Sequence, residues 1–439
     1  DARFAEAFSD ISSSFLASDY TPPFWARNAH VHTIVASGDF EHLFLGDRLA
    51  PVPYRRERWT LPDGDWIDVD WLVAEDVQEA PEEAEQVIDP NEVECGEQRS
   101  QLPGSDLLAE AEVASSHISL PSLPTSLRSL TPLFTLLFQA LAGAMDNGGL
   151  GLGGMLGPHS FIQDLRDVDP QKAPHWTDSL VEEGQESNRR LILLLHGLES
   201  SSTAPMTMRQ VVVVYAAHGY DVLALNFRSC SGTFGQNPLG YHLGYTDDLE
   251  HVLKEVKTHF SHIWSRVYLS GFSLGSGVIV NLLGKYGESA MSDLGVFGAS
   301  VACVPFAPKA SINKLEQSKL GQLLYIPAFL SYLLPKAEAH AEKEPELITE
   351  TVLKETKKFS EFNEKIVAPL HGYESVEHYY NSVDATHHLK HVRVPLMVVN
   401  ARDDPLIEGS TLPDASHVGD APVRLVYHDH GGHCGFLRG

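Results

Sequence analysis

The sequence predicts an α/β fold: a mostly parallel central sheet, helices on both faces and a helical cap inserted late in the chain. Three observations carry this expectation. Continuous apolar runs alternate with helical patterns from Arg190 onward. Several helical segments at 305–392 interrupt that rhythm. A glycine-flanked serine, Gly271-Phe272-Ser273-Leu274-Gly275, stands where an apolar run meets a helical pattern. Strands that are apolar without alternation are buried on both faces, as in a parallel sheet covered by helices.

Residues 1–74 read as the first part of this domain. Tyr54 to Leu72 forms two extended segments around a turn at Pro62-Asp63-Gly64-Asp65. Residues 75–187 change character. They hold 21 Asp and Glu against four Lys and Arg, a net charge of -17 out of -27 for the whole chain. An acidic, proline-bearing stretch leads into a Ser/Pro/Leu segment, an apolar run at 133–145 and a glycine run at 148–157. This composition predicts an insertion that is largely loop or disordered. The pattern Gly149-x-Gly151-x-x-Gly154 follows no predicted strand, so no nucleotide cofactor is expected. The apolar run is shorter than the ~20 residues of a membrane helix. Two readings of it stand: packing on the core, or lying in a membrane interface as an amphipathic helix.

The core resumes over 188–304. Strands are expected at 191–195, 222–226, 267–270 and 299–304, with helices at 206–217, 246–260 and 276–286. After the helical cap of 305–392, the C-terminal part (393–439) returns two strands, at 395–400 and 423–428. The acidic balance excludes nucleic acid as the main partner, because phosphate binding needs Lys and Arg. Cys95, Cys230, Cys303 and Cys434 are scattered without a C-x-x-C pair, which favours a reducing intracellular compartment. The chain begins at Asp1, so an upstream targeting segment and the oligomeric state stay open.

The chemistry begins at Ser273. A strand before it and a helix after it form the context of a nucleophile elbow, a tight turn that lifts the hydroxyl above the sheet. The helix N-terminus behind it favours developing negative charge. Chains built this way place an acid and then a histidine downstream. The strand at 395–400 runs into Asp403-Asp404, and the last strand is followed by His428-Asp429-His430-Gly431-Gly432-His433. His433, in its glycine-rich loop, is the expected base. The backbone N–H groups of Leu198, after the first core strand, and Leu274, after the serine, are the expected oxyanion donors. Activity is then expected to fall as pH drops through about 6 to 7. His428, His430 and His433 match no metal-ligand spacing, so no metal is expected. His242 and Asp247 form a His-x-x-x-x-Asp used elsewhere in acyl transfer; the plainer reading puts Asp247 in the first turn of a helix and packs His242 in a loop.

At this point the residues resemble a known family: the α/β-hydrolase group of bacterial YheT-like hydrolases, plant embryogenesis-associated proteins and abhydrolase-domain acyl-ester hydrolases. The resemblance rests on Pro22-Pro23-Phe24-Trp25-Ala26-Arg27-Asn28-Ala29-His30 with Thr33-Ile34, and on His196-Gly197-Leu198-Glu199. It also rests on Asn226-Phe227-Arg228-Ser229-Cys230-Ser231-Gly232, Ala368-Pro369-Leu370-His371-Gly372-Tyr373 and Asn400-Ala401-Arg402-Asp403-Asp404-Pro405. It implies the α/β-hydrolase fold and a triad of Ser273, Asp404 and His433, with Asp404 preferred to Asp403. It further implies cleavage of carboxylic esters, often of short- or medium-chain acyl lipids. Acyl transfer to an alcohol, or a non-catalytic binding role, is the alternative. Three departures stand out. The 75–187 insertion is one, Asn363 in place of an acid is another, and the chain ends six residues after His433, where the resemblance implies a final helix.

Overall fold

Apolar runs without alternation pair into one sheet because only mutual hydrogen bonding satisfies their backbones once both faces are covered. The computed structural model describes residues 29–30, 33, 52–74, 166–167, 180, 187 and 189–436, all within one compact unit. The expected insertion at 75–187 lies outside the described residues apart from 166–167, 180 and 187, and so do its glycine pattern and apolar run. Among the described residues, no helix is long and apolar enough to cross a membrane.

The strands are β1 (Arg55–Thr60), β2 (Trp66–Leu72), β3 (Arg166–Asp167), β4 (Arg190–Leu195), β5 (Asp221–Asn226), β6 (Arg266–Phe272), β7 (Val296–Ala302), β8 (Leu396–Ala401) and β9 (Val423–His428). Their order in the sheet is β3-β1-β2-β5-β4-β6-β7-β8-β9. β1 and β2 form an antiparallel hairpin, and β2 adds antiparallel to β5. From β5 to β9 every pair is parallel. The chain leaves β4 for β5 on one side and returns to β6 on the other. The loops after β4 and β6 therefore diverge and open a crevice at their C-terminal ends, where such sheets bind ligands.

Between the strands, α1 (Asp247–Phe260) buries Leu249, Val252, Leu253, Val256 and Phe260, a helical stripe against the sheet. Phe260 and Trp264 pack with Trp59 and Trp71 of the hairpin, which ties the antiparallel end to the parallel core. α2 (Leu274–Tyr286) is buried from Leu274 to Leu283. Its Val278, Ile279, Val280, Leu282 and Leu283 each contribute about 1.5–3 kcal/mol of burial, so the helix behind Ser273 is firmly seated.

Two segments differ from the sequence expectation. The strand expected at 299–304 is Val296–Ala302. It stops where Cys303 takes a left-handed backbone (φ 54°), and the Val304 N–H and carbonyl bond the side chain of Asn400 on the neighbouring strand instead of a strand backbone. The helix expected at 206–217 is an α-turn at Pro205–Arg209, a wider π-turn at Gln210–Tyr215 and a 3₁₀ turn at Ala216–His218. The π-turn carries four consecutive valines, a β-branched run of low helix propensity.

The insertion between β7 and β8 is helical. It includes α3 (Pro308–Gln317), α4 (Ile326–Ala339) and α5 (Val376–Val383). It has its own apolar cluster, with Leu315, Tyr325, Ile326, Leu330, Ile348, Phe362 and Ile366. Asn363, at the departure from the family pattern, is buried there and donates to the Tyr380 hydroxyl at 3.3 Å.

Candidate active site

The site starts from backbone geometry at the end of β6. Ser273 has φ 54° and ψ -124°, a conformation that L-residues adopt rarely and that functional turns retain. Its N–H donates to the Ala302 carbonyl at 2.9 Å, which pins the turn to β7. Glycine is required beside it by space. A Cβ at Gly275 would lie 2.5 Å from the His196 carbonyl oxygen, and one at Gly197 would press on Ser273 Cβ at 3.2 Å. The two loops of the crevice thus meet backbone to backbone.

β8 and β9 bring the other groups. Asp404 follows β8 and is fully buried; its Oδ1 accepts the N–H groups of Leu406 and Ile407. Its Oδ2 lies 2.8 Å from His433 Nδ1, and His433 Nε2 lies 2.8 Å from Ser273 Oγ. A carboxylate only accepts, so Nδ1 carries the proton and, in the neutral ring, Nε2 accepts from the serine hydroxyl. Burial alone would push His433 down. The charge and hydrogen bond of Asp404 outweigh it and raise the imidazole to about 9. This moves the titration above the 6 to 7 expected from the sequence, because an unscreened carboxylate stabilises the imidazolium.

Asp403 points elsewhere. Its Oδ1 accepts the Gly432 N–H at 3.0 Å and its Oδ2 lies 3.3 Å from His430 Nδ1, so it holds the backbone beside His433. Thr33 Oγ1 accepts the His433 N–H at 2.9 Å while donating to the Ala29 carbonyl. His30 meets the Tyr325 hydroxyl at 3.1 Å. The motif near the start of the chain therefore reaches the histidine loop, a role that local pattern did not suggest.

Leu274 follows the serine directly, and Leu198 follows Gly197, which closely approaches Ser273. Neither backbone N–H is engaged by an acceptor among the described residues. The loop carrying Leu198 is gripped on both sides. His196 Nε2 accepts the Phe227 N–H, so Nδ1 carries the proton toward the Gly197 carbonyl; burial holds this ring neutral, at about 4. Glu199, at φ 56°, donates its N–H to the Tyr241 hydroxyl and accepts from it through Oε1. Glu199 Oε2 pairs with Lys336 of α4 at 2.6 Å, both side chains mostly buried, and Lys336 also meets Cys230 Sγ at 3.2 Å. Lys314 of α3 donates to the Asp404 and Ile407 carbonyls at 2.8 and 2.7 Å. Both lysines come from the helical insertion, and sequence reading missed both because their partners lie 90 or more positions away.

His242 and Asp247 do not form a site. His242 is buried among His371, Tyr373 and Tyr379, with burial and His371 holding it well below the ordinary value. Asp247 is in the first turn of α1. The three late histidines do not converge either: His428 meets the Phe436 ring and His430 meets Asp403.

A model of the alpha/beta hydrolase family matches residues 192–439, more than half of the chain. Escherichia coli YheT, which carries the name of an esterase, is 27% identical over 263 residues, covering 58% of this chain and 73% of its own. The monoacylglycerol lipase of Saccharomyces cerevisiae is 24% identical over 253 residues, covering 56% of this chain and 55% of its own. The mouse phospholipase ABHD3 is 28% identical over 253 residues, with 58% and 60% covered. The chain thus spans little more than half the length of the last two. With the family match, the strand order and the serine turn together, the chain belongs to the alpha/beta hydrolase family.

Proposed function

We propose that this protein hydrolyses carboxylic esters of small acyl or lipid substrates through an acyl-enzyme on Ser273. The observation that carries this reading is the chain of contacts Ser273–His433–Asp404 at a strained strand-to-helix turn. Ser273 Oγ attacks the acyl carbonyl carbon as His433 Nε2 takes the hydroxyl proton. The tetrahedral oxyanion is held by the Leu198 and Leu274 N–H groups. Asp404 stabilises the imidazolium without taking its proton. Collapse breaks the bond to the alcohol, which leaves with the proton from His433. Water then attacks the acyl-serine, gives a proton to His433, and the acid departs as Ser273 regains its hydrogen. Removing one oxyanion donor from such a site costs about 3 kcal/mol of transition-state stabilisation.

Relatives named as a monoacylglycerol lipase and a phospholipase support a lipid ester as the substrate class. The test is a panel of esters of increasing acyl length, with products analysed with and without an added alcohol. Free acid as the main product supports hydrolysis. New ester formed at the expense of acid replaces it with acyl transfer. No turnover of any ester by folded protein favours the non-catalytic binding role.

A further inference from the structure

The loop that delivers His433 also delivers Cys434, and the turn that ends β7 delivers Cys303. The two cysteines are 131 positions apart, yet the Cys434 N–H donates to Cys303 Sγ at 3.2 Å. Both have left-handed backbones, φ 54° and 63°, which aim the two turns at one another. One ligand atom from each of Cys303, Cys434 and His433 lies within 4.8 Å of the other two. Among the described residues this is the cluster of three such side chains that converges on one point. Cys303 is buried and Cys434 is half-buried, so the cluster has an open side at Cys434.

We propose that Cys303, Cys434 and His433 form a binding site for a thiophilic cation of the zinc or cadmium type, and that its occupation switches the serine site off. Two thiolates and an imidazole are a soft donor set that selects such ions over calcium and magnesium. Metal–ligand distances of about 2.0–2.3 Å place tetrahedral donors roughly 3.3–3.8 Å apart. The three ligand atoms lie within 4.8 Å of one another, so the loops need to close by at most on the order of 1–1.5 Å. The Cys434 N–H already points at Cys303 sulfur, the outer-shell hydrogen bond that a bound thiolate keeps. Each thiol gives its proton to solvent as the sulfur binds. The imidazole has no spare nitrogen: Nδ1 is on Asp404 and Nε2 on Ser273. Whichever nitrogen the metal takes, the contact chain breaks. Metal and an acylating probe therefore exclude one another, and the exclusion is reciprocal.

The test uses cadmium alone. The protein carrying Ser273→Ala is titrated with cadmium and followed by thiolate-to-metal absorption, a readout that needs no catalysis and survives failure of the esterase proposal. One equivalent should bind, and Cys434→Ser or Cys303→Ser should weaken it more than about tenfold, the scale on which even outer-shell changes act. In protein with Ser273 intact, cadmium should block fluorophosphonate labelling, with magnesium inert. Protection of Cys434 from alkylation by cadmium gives the same answer without any cysteine variant. An absorption band unchanged in both cysteine variants would assign the thiolate to Cys95 or Cys230 and overturn the proposal. So would binding at this cluster that leaves probe labelling unaffected.

Discussion

The sheet and the helical insertion position the same site by different means. On the sheet side, Ser273, Asp404 and His433 are placed by their own backbones at the ends of β6, β8 and β9, with contacts spanning only the crevice. Among the described residues, no hydrogen bond runs from the insertion to Ser273. Instead Lys336 and Lys314 reach across to brace the loops that carry Leu198 and Asp404. On the proposed reading, the first region sets where the reacting atoms are, and the second braces the loops around them. Breaking the first should abolish chemistry. Breaking the second should weaken it and cost stability.

The largest effect expected is that of Ser273→Ala, a loss of ester hydrolysis on the order of 10⁴-fold or more, because no acyl-enzyme forms. Steady-state turnover of a purified sample checks it, and near wild-type rates would move the nucleophile elsewhere. Next is Asp404→Asn, expected to lower kcat by about 10⁴ through the wrong imidazole tautomer. The matched Asp403→Asn should change kcat little, since its amide oxygen still accepts the Gly432 N–H. A large loss confined to Asp403→Asn would reverse the two roles.

Lys336→Met tests the insertion side. It strands the Glu199 carboxylate without its cation, which costs about 3–5 kcal/mol for a buried pair. We expect kcat to fall roughly tenfold to a hundredfold with a smaller change in KM, less than outright loss of an oxyanion donor. Adding Glu199→Gln should restore part of the stability, measured by denaturant titration, and Lys336→Arg should restore part of kcat. A pure rise in KM would instead make Lys336 a substrate contact.

The smallest effect is a shift in pH dependence. The base must be neutral, so kcat/KM rises with pH through the His433 titration. With Asp404 charged beside it, the midpoint should lie above the ordinary 6.5, toward about 9. In Asp404→Asn the raising charge is gone and burial remains, so the midpoint of the residual rate should move down. A wild-type midpoint between 6 and 7 would mean that the carboxylate is screened in solution.

What was legible in the sequence divides along the same line. The parallel core, the turn at Ser273 and the order of a serine, the Asp403-Asp404 pair and His433 are written in local pattern: apolar runs, glycines where backbones approach, and a histidine in a glycine loop; the preference for Asp404 came from the resemblance. The end of β7 was not, because Cys303 leaves the strand through a backbone torsion that composition does not encode. Nor were Lys314 and Lys336. A lysine in an amphipathic helix looks the same whether it faces solvent, a buried carboxylate as Lys336 does or backbone carbonyls as Lys314 does. The link between Thr33 and His433 spans 400 positions. Resemblance singled out the motif, and only the fold gave it a partner. His242-x-x-x-x-Asp247 is a pattern whose plainer reading, a packed histidine and an aspartate in a helix's first turn, matches what the fold shows.

The central claim is that Ser273 is an activated nucleophile whose reactivity depends on His433. The direct measurement is labelling by a fluorophosphonate probe, with the modified peptide identified by mass spectrometry in wild type, Ser273→Ala and His433→Gln. The account predicts one adduct, on Ser273, absent in the first variant and slowed by orders of magnitude in the second. An adduct on another residue, or labelling of Ser273 at an unchanged rate in His433→Gln, would contradict it.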